Sequence, residues 1–162
     1  MIGNDIVDLQ LARTQSNWQR PRFLEKVCSK NEIEYIQNSI NQELAFWKIW
    51  TIKESAYKIW NRKSKITVFN PKYFECFDLD LPISKVKIDN HSFVSKTNFD
   101  GITVHSFVLK NKKMFDNIVL LHNRNNIQKK NNRPFYFENN IKNINISISN
   151  HGRFEKIILL KP

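Results

Sequence analysis

Residues 50–58 read WTIKESAYK and lie inside the strongest helical pattern of the chain. Residues four apart share one face of a helix, so Glu54 and Lys58 point the same way, above Trp50. The carboxylate on such a face can hold a divalent metal ion, and the ammonium can hold a phosphate oxygen. The commoner interpretation of an acid and a lysine at this spacing is a solvated ion pair. The segment therefore predicts a helix and one candidate acid–base pair.

The N-terminus is the second candidate segment, because residues 3–9 read GNDIVDL. Residues 2–9 are predicted to form a short apolar strand that carries isolated acids and starts too early to leave room for a leader. Asp5 is the stronger candidate, since Asp8 faces the opposite side of the strand. The alternative for Asp5 is an acid that merely ends a strand or a turn. Mg²⁺ takes one or two carboxylates together with phosphate oxygens, so Asp5 and Glu54 are predicted to belong to one active site.

The composition indicates one globular domain over residues 1–162. The chain is 41% hydrophobic and contains twelve Phe residues, which is enough to build a core. The two cysteines, Cys28 and Cys76, make no disulfide framework and fit a reducing compartment. The sequence shows no signal-peptide pattern and no apolar run of membrane-spanning length. It therefore predicts a cytoplasmic protein with no membrane partner.

The formal net charge of +11 predicts an anionic partner, which could be a nucleic acid, a phosphate-bearing ligand, an acidic protein or a membrane surface. The basic residues are dispersed along the chain, and no recognition helix or stacking motif is legible, so nucleic acid is unlikely to be that partner. The densest basic and Asn-rich stretch, residues 123–133, is predicted to be a flexible loop.

Helical patterns occupy the first part of the chain. Ser29 and Glu32 are spaced as a capping box, which predicts a helix from this point to about Ile40. A second helix is predicted from about Gln42 to Trp60. Its apolar stripe consists of Ala45, Ile49, Ile52, Ala56 and Ile59, broadened by the core aromatic residues Trp47, Trp50 and Trp60.

Strand patterns follow the helices. The predicted strands are Ile66–Asn70, Lys85–Asp89, Ser92–Asn98, Ile102–Lys110, Asn117–His122, Ile144–Ser149 and Lys156–Leu160. Turn signals such as Asp89-Asn90 and Asp100-Gly101 separate several of them, which is typical of hairpins. The predicted fold class is therefore α+β, with helices packed on a mainly antiparallel sheet.

Other polar residues have weaker signals. Glu32 is most simply the acid of the capping box, and Arg133-Pro134 could be only the end of a loop. Ser147, Ser149 and His151 near a Gly-containing turn could bind phosphate, although a polar strand end is the commoner explanation. The chain shows no Gly-rich phosphate loop, zinc spacing or nucleophilic triad order, and three glycines in all exclude most cradle-type nucleotide motifs.

Four segments resemble the 4′-phosphopantetheinyl transferase superfamily in its small holo-acyl-carrier-protein synthase form. Residues 3–9 are similar to the family's opening Gly-x-Asp-Ile strand, and residues 50–58 to its Trp-x-x-Lys-Glu-[Ser/Ala]-x-x-Lys signature. Residues 22–32 resemble its Arg-Phe…Glu helix entry. Arg133-Pro134 and residues 146–149 resemble its [Lys/Arg]-Pro…Ser-x-Ser-His segment. The β-rich middle has no matched motif.

The resemblance implies transfer of the phosphopantetheine arm of coenzyme A to a serine of an apo acyl or peptidyl carrier protein, with release of 3′,5′-ADP. Asp5 and Glu54 would hold Mg²⁺ against the pyrophosphate, Lys58 would contact phosphate or assist proton transfer, and Lys53 would support the ligand. The remaining coenzyme A contacts, near the adenine nucleotide and its 3′-phosphate, would come from Arg133, Pro134, Ser149, Asn150 and His151. Carrier proteins are typically acidic, which fits the positive charge of this chain.

The sequence also departs from the family pattern. No glycine follows Lys58 within residues 59–65, so a phosphate contact there would fall to Lys63 or Lys65. The histidine of the Ser-x-Ser-His motif is displaced to His151 or replaced by Asn150. The resulting alternative is a catalytically reduced, basic binding protein for carrier proteins or nucleic acid. The compact relatives are trimers with sites between subunits, so a homo-oligomer is also possible.

Overall fold

The computed structural model describes residues 1–64, 68–130, 133–138, 141–143 and 145–161. The helices are α1 (Leu9–Gln15), α2 (Phe23–Val27), α3 (Lys30–Asn38) and α4 (Gln42–Ser64), with 3₁₀ turns at Pro71–Tyr73 and Lys112–Asn117. The first strands are β1 (Ile2–Asp8), β2 (Glu75–Phe77), β3 (Ser84–Ile88), β4 (His91–Phe99), β5 (Thr103–Leu109) and β6 (Ile118–Leu121). The later strands are β7 (Ile127–Lys130), β8 (Arg133–Glu138), β9 (Ile141–Asn143), β10 (Ile146–His151) and β11 (Phe154–Leu160).

All the described strand pairs are antiparallel, which confirms the predicted α+β class. The largest sheet has the order β1-β5-β4-β3-β2, and two three-stranded sheets have the orders β10-β11-β6 and β7-β8-β9. Helix α4 packs across β1 and β5. The N-terminal strand is therefore the edge strand of the sheet that the long helix covers.

Helix α4 forms because its apolar stripe has a sheet to cover. All five residues of the predicted stripe are at least 95% buried: Ala45, Ile49, Ile52, Ala56 and Ile59. At Gly3 the strand runs so close to this helix that an added Cβ atom would lie 2.0 Å from the carbonyl oxygen of Ser55. The close approach brings the side chains of β1 and α4 to a common surface.

The outer edge of β1 is covered by side chains of β10. Alternate residues of a strand face the same way, and three alternate residues of β10 accept from alternate backbone N–H groups of β1. Ser147 Oγ accepts from Asn4 N at 3.0 Å, Ser149 Oγ from Ile6 N at 2.8 Å and His151 Nδ1 from Asp8 N at 3.0 Å. These bonds satisfy an edge that would otherwise expose unpaired donors.

Several element predictions are confirmed, and others are wrong. The Ser29–Glu32 capping box is present, and the helix that it opens ends at Asn38. Residues 68–70 are not in a strand, while residues 66 and 67 of that predicted strand lie outside the described part of the chain. Residues 127–130 form a strand and not a loop, because Ile127 packs beside Tyr136 and β8 supplies the backbone partners.

Candidate active site

Asp5 and Lys58 meet where β1 crosses α4. Lys58 Nζ donates to the backbone oxygen of Asn4 at 2.7 Å and to Asp5 Oδ1 at 3.2 Å. A third contact, to the backbone oxygen of Ile148, is longer, at 3.5 Å. The Asp5 carboxylate also accepts from Ser149 Oγ at 3.0 Å. Three elements distant in sequence thus fix one half-buried carboxylate.

Glu54 completes a pair of acids with Asp5. Burial and, to a smaller extent, the negative charge of Asp5 raise the pKa of Glu54 to about 7, against the opposing effect of Lys58. Burial also raises the pKa of Asp5 above its ordinary value, against the effects of Lys58, Ser149 and His151. Burial therefore disfavours the charged form of both carboxylates. A bound cation would stabilise that charged form.

The two acids open into a cleft of about 510 Å³, here called the site cleft. Its polar end contains Asp5, Glu54, Lys58, Asn150 and His151. Its other end is an aromatic wall formed by Trp18, Phe23, Phe46, Trp47 and Trp50. Within the wall, Trp18 stacks on Phe46 with ring centroids 5.1 Å apart. A volume of this size is within the range of small-molecule sites.

Trp47 contributes an unusual group to the aromatic wall. The residue is 6% exposed, and its indole Nε1 is buried without a hydrogen-bond partner among the described residues. An unsatisfied buried N–H costs about 1–3 kcal/mol. Trp47 thus adds apolar surface to the wall, while its N–H is enclosed by the protein.

A smaller pocket of about 240 Å³ lies on the other side of Lys58, and we call it the cationic pocket. Its lining includes Lys58, Arg62, Arg133 and Pro134. Arg133 donates to the backbone oxygen of Asn61 at 2.9 Å, and Arg62 donates to that of Ile146. Burial lowers the pKa of Arg62, and the neighbouring charge of Arg133 lowers it further. The cationic pocket therefore concentrates positive charge suited to a phosphate group.

The Ser147–His151 segment has a structural role, because its side chains accept hydrogen bonds from the backbone of β1. Ser149 accepts from β1 with the same oxygen that donates to Asp5, so it ties the acid to the sheet edge. The Nδ1 atom of His151 is occupied by the backbone of Asp8, which leaves Nε2 as its ligand-facing nitrogen in the site cleft. Asn150 is exposed and also lines this cleft.

The structure corrects the predicted role of Lys53. This side chain is 1% exposed, and its Nζ lies 2.6 Å from Glu32 Oε2 and 2.7 Å from the backbone oxygen of Val27. Glu32 also accepts from the backbone N–H groups of Ser29 and Cys76, both at 2.7 Å. Residues 53 and 54 point in different directions on the helix, and the direction of Lys53 leads into the core. The residue is thus a structural tie between α3 and α4, with no contact to the site cleft.

Asp8 has a structural role as well. Its carboxylate accepts from the backbone N–H groups of Gln10 and Leu11, which caps α1. It also pairs with Arg153, with Nε and Oδ2 3.0 Å apart. The Arg153 hydrogen bond is the main cause that lowers the pKa of Asp8 to about 2. The expectation that Asp8 is the weaker of the two N-terminal acids agrees with this placement.

Asp5 and Glu54 fit a magnesium ion that is also held by a ligand. The described residues contain no group of three or more His, Cys, Asp or Glu side chains that could hold a metal ion alone. Mg²⁺ is commonly bound by one or two carboxylates plus substrate phosphates and water, which is the donor set available here. The phosphate oxygens would enter from the side of Lys58 and the cationic pocket.

Two contributions to this site are not among the sequence predictions. Arg62 follows Lys58 by four residues and Glu54 by eight, so the helical spacing places all three on one face. Trp47 precedes Glu54 by seven residues, which is two helical turns and the same face. The helical spacing was visible in the sequence in both cases. However, an arginine at such a spacing more often lies on the surface, and a tryptophan more often lies in the core.

Comparison with known families agrees with this geometry. The family model described as the 4′-phosphopantetheinyl transferase superfamily matches residues 1–111, more than half of the chain. The matched range includes Asp5, Glu54, Lys58 and Arg62 and ends before Arg133. No curated protein matches the sequence. No helix within the described ranges is both long and apolar enough to cross a membrane.

Proposed function

The chain belongs to the 4′-phosphopantetheinyl transferase superfamily, and on that premise we propose that it moves the 4′-phosphopantetheine arm of coenzyme A to a serine of an apo carrier protein. The other product is 3′,5′-ADP. The observation that carries the proposal is the pair Asp5–Glu54 beside Lys58, placed between the cationic pocket and the aromatic wall. This arrangement can hold a diphosphate at its centre, a nucleotide on one side and an extended arm on the other.

Asp5 and Glu54 are the residues that would hold Mg²⁺. A bound magnesium ion would offset the charge that develops on the leaving diphosphate. Ser149 keeps Asp5 oriented through the 3.0 Å hydrogen bond. The Glu54 carboxylate accepts no such hydrogen bond from the described residues, and its raised pKa suits exchange of a proton near neutral pH.

Lys58 is the proposed phosphate contact. Its strongest hydrogen bonds, to Asn4 and Asp5, fix the ammonium at the floor of the site cleft. The 3.5 Å contact to Ile148 is the weakest of the three and is the one that a phosphate oxygen would replace. Arg62 and Arg133 would receive the phosphates of the nucleotide half, and His151 would donate from Nε2.

The attacking serine would enter at the polar end of the site cleft. The Glu54 carboxylate, which would also help to hold Mg²⁺, would accept the proton of the serine hydroxyl. The oxygen of the hydroxyl then forms the new phosphoester bond, and the bond to the 3′,5′-ADP oxygen breaks. The protein contributes mainly position and charge, which is the usual division of work in phosphoryl transfer.

The aromatic wall suits the pantetheine arm. The arm carries methyl groups and two amides along one chain, and the wall offers apolar surface to the methyl groups. An acidic carrier protein would be drawn towards this basic chain, whose formal charge is +11.

Intact-mass spectrometry tests the proposal. An apo acyl carrier protein is incubated with the protein, coenzyme A and Mg²⁺, and a mass gain of one phosphopantetheine arm is expected. Chelator, Asp5→Asn and Glu54→Gln should each abolish the gain. Glu34→Gln is the matched control, because Glu34 is an exposed acid of α3 far from the site cleft.

The binding-protein alternative gives a different result in the same system. A carrier protein that binds without any mass gain, together with coenzyme A affinity that does not change when Mg²⁺ is added, would replace the transferase proposal. A panel of several carrier proteins is needed, since one unreactive carrier protein tests only that pairing.

A further inference from the structure

A second cleft, of about 500 Å³, lies on the opposite face of the five-stranded sheet, and we call it the rear cleft. Ser106 of β5 faces α4, because its hydroxyl is 2.7 Å from Thr51 Oγ1. The neighbouring residues His105 and Phe107 therefore face away from that helix. They line the rear cleft together with residues of β4, β6, β11 and the 3₁₀ turn Lys112–Asn117. The rear cleft shares no lining residue with the site cleft or the cationic pocket.

His105 presents a hydrogen-bond donor to the rear cleft. The amide nitrogen of Asn4 donates to the backbone oxygen of Lys156 at 3.1 Å, which fixes the orientation of that amide because a carbonyl can only accept. The same nitrogen is 3.2 Å from His105 Nε2, so Nε2 must be the acceptor. Burial, together with the charges of Lys156 and Lys58, lowers the pKa of His105 to about 4, against the opposing effect of Asp100.

At neutral pH the imidazole of His105 is consequently uncharged, with its hydrogen on Nδ1. That N–H makes no hydrogen bond to the described residues. The residue is 6% exposed, and the cleft is where this exposure lies. A donor that borders a cleft and lacks an acceptor among the described residues is a position where a ligand oxygen gains a bond at little cost.

Lys96 and Lys156 add two positive charges to the same cleft. Its lining also includes the carboxylate of Asp100, which accepts hydrogen bonds from Ile102 and Thr103. Neither lysine forms an ion pair with the part of the chain that the structure describes. Lys96 Nζ lies 4.8 Å from the centroid of the Phe115 ring. The Phe115 ring lies 6.1 Å from that of Phe107, which is 5.3 Å from the imidazole of His105. Cationic groups thus border a continuous aromatic surface, and Ile118, Leu120 and Ile158 extend its apolar area.

We propose that the rear cleft binds a small amphipathic anion, a carboxylate, phosphate or sulfonate carried on an aromatic or aliphatic body. The anionic group would contact Lys96, Lys156 and the Nδ1–H of His105, and the apolar body would lie on Phe107 and Phe115. The volume of about 500 Å³ is within the range of small-molecule sites. This site is independent of the proposed transferase activity.

The probe for the test is 1-anilinonaphthalene-8-sulfonate, which joins a sulfonate to an aromatic body and fluoresces when it leaves water. It is titrated into the wild-type protein in the presence of saturating coenzyme A and Mg²⁺, which occupy the site cleft if the proposed function is right. Saturable binding to one site is expected. The double variant Lys96→Gln/Lys156→Gln should weaken that binding at least tenfold.

Two further variants make the result specific. Lys87→Gln is the matched control, because Lys87 also lies 4.8 Å from a phenylalanine centroid, that of Phe77, but does not line the rear cleft. It should leave binding unchanged. Leu120→Glu adds a negative charge at a residue that is 49% exposed at the rim, so it should weaken binding without removing core contacts.

Absence of binding would overturn the proposal, and so would equal affinity in the wild type and the lysine double variant. Competitive displacement of the probe by coenzyme A would assign the signal to the site cleft and would also overturn it. Because the readout is fluorescence and requires no transfer reaction, an inactive protein can still show the predicted binding.

Discussion

Glu54 shows how burial tunes one residue. Its ordinary pKa of 4.5 rises to about 7 in the folded protein. Between these pH values the folded chain holds a proton that the unfolded chain has released, so the contribution of Glu54 to the free energy of unfolding falls as pH rises. A glutamine at this position removes the charge.

We therefore expect metal-free Glu54→Gln to be more stable than the wild type at about pH 8, by roughly 1–3 kcal/mol, and nearly equal to it at about pH 4.5. Urea unfolding with chelator at the two pH values measures the difference. Glu34→Gln should match the wild type at both. Superimposable curves at pH 8 would show that burial of Glu54 has no energetic consequence.

Ser149 is a second residue whose effect is local and testable. Ser149→Ala leaves the N–H of Ile6 without its acceptor and Asp5 without one donor, so we expect a loss of about 1–3 kcal/mol in stability. Turnover should fall about tenfold, since Asp5 loses one of the hydrogen bonds that orient it.

Ser147→Ala is the control, because it removes a similar bond, to Asn4, without touching Asp5. It should cost similar stability and keep more of the wild-type kcat; equal losses of kcat would contradict a positioning role.

At the scale of secondary-structure elements, the buried Glu32–Lys53 ion pair joins α3 to α4 inside the core. Removing one partner leaves an uncompensated buried charge, so Lys53→Met should cost about 3–5 kcal/mol. The double variant Glu32→Gln/Lys53→Met should lose less than the sum of the single variants, as measured by chemical denaturation. The exposed pair Arg13–Glu43 is the control, and Arg13→Met should cost about 1 kcal/mol at most. Additive losses at the buried pair would show no coupling.

Contact between β1 and α4 is the other element-scale requirement. Gly3→Ala places a methyl group 2.0 Å from the Ser55 oxygen, so the strand and the helix must separate. We expect a loss of at least about 3 kcal/mol and of most activity, because Asp5 and Glu54 lie on the two separated elements. Gly101→Ala is the comparison: it meets no atom within 4 Å, and only its positive φ of 88° opposes the change. Thermal unfolding and mass-gain assays on both variants test whether close approach is needed.

The net charge acts at the scale of the whole molecule. A formal charge of +11 would attract an acidic carrier protein, and salt at 0.1 M would screen that attraction beyond about 10 Å. We expect kcat/KM for the carrier protein to fall several-fold between about 0.05 and 0.5 M NaCl, with kcat changing little. Steady-state rates at several salt concentrations provide the measurement, and a carrier protein with neutralised acids should show a weaker dependence. A rate independent of salt would exclude electrostatic steering.

The sequence by itself determined the fold class, the long helix and the superfamily. Alternating and helical apolar patterns are local, and each is repeated over enough residues to be read without a structure. The spacing of Glu54 and Lys58 is fixed within one helix, so their common direction follows from 3.6 residues per turn.

Only the tertiary structure decided which polar groups line the site cleft and which lie in the core. Lys53 and Glu54 are adjacent in sequence, yet one lies in the core with Glu32 and the other lies in the site cleft. The hydroxyl bonds from β10 to β1 and the strand at residues 127–130 likewise depend on partners far along the chain. Burial and pairing of a polar side chain are properties of what packs against it, and that information is absent from any local pattern.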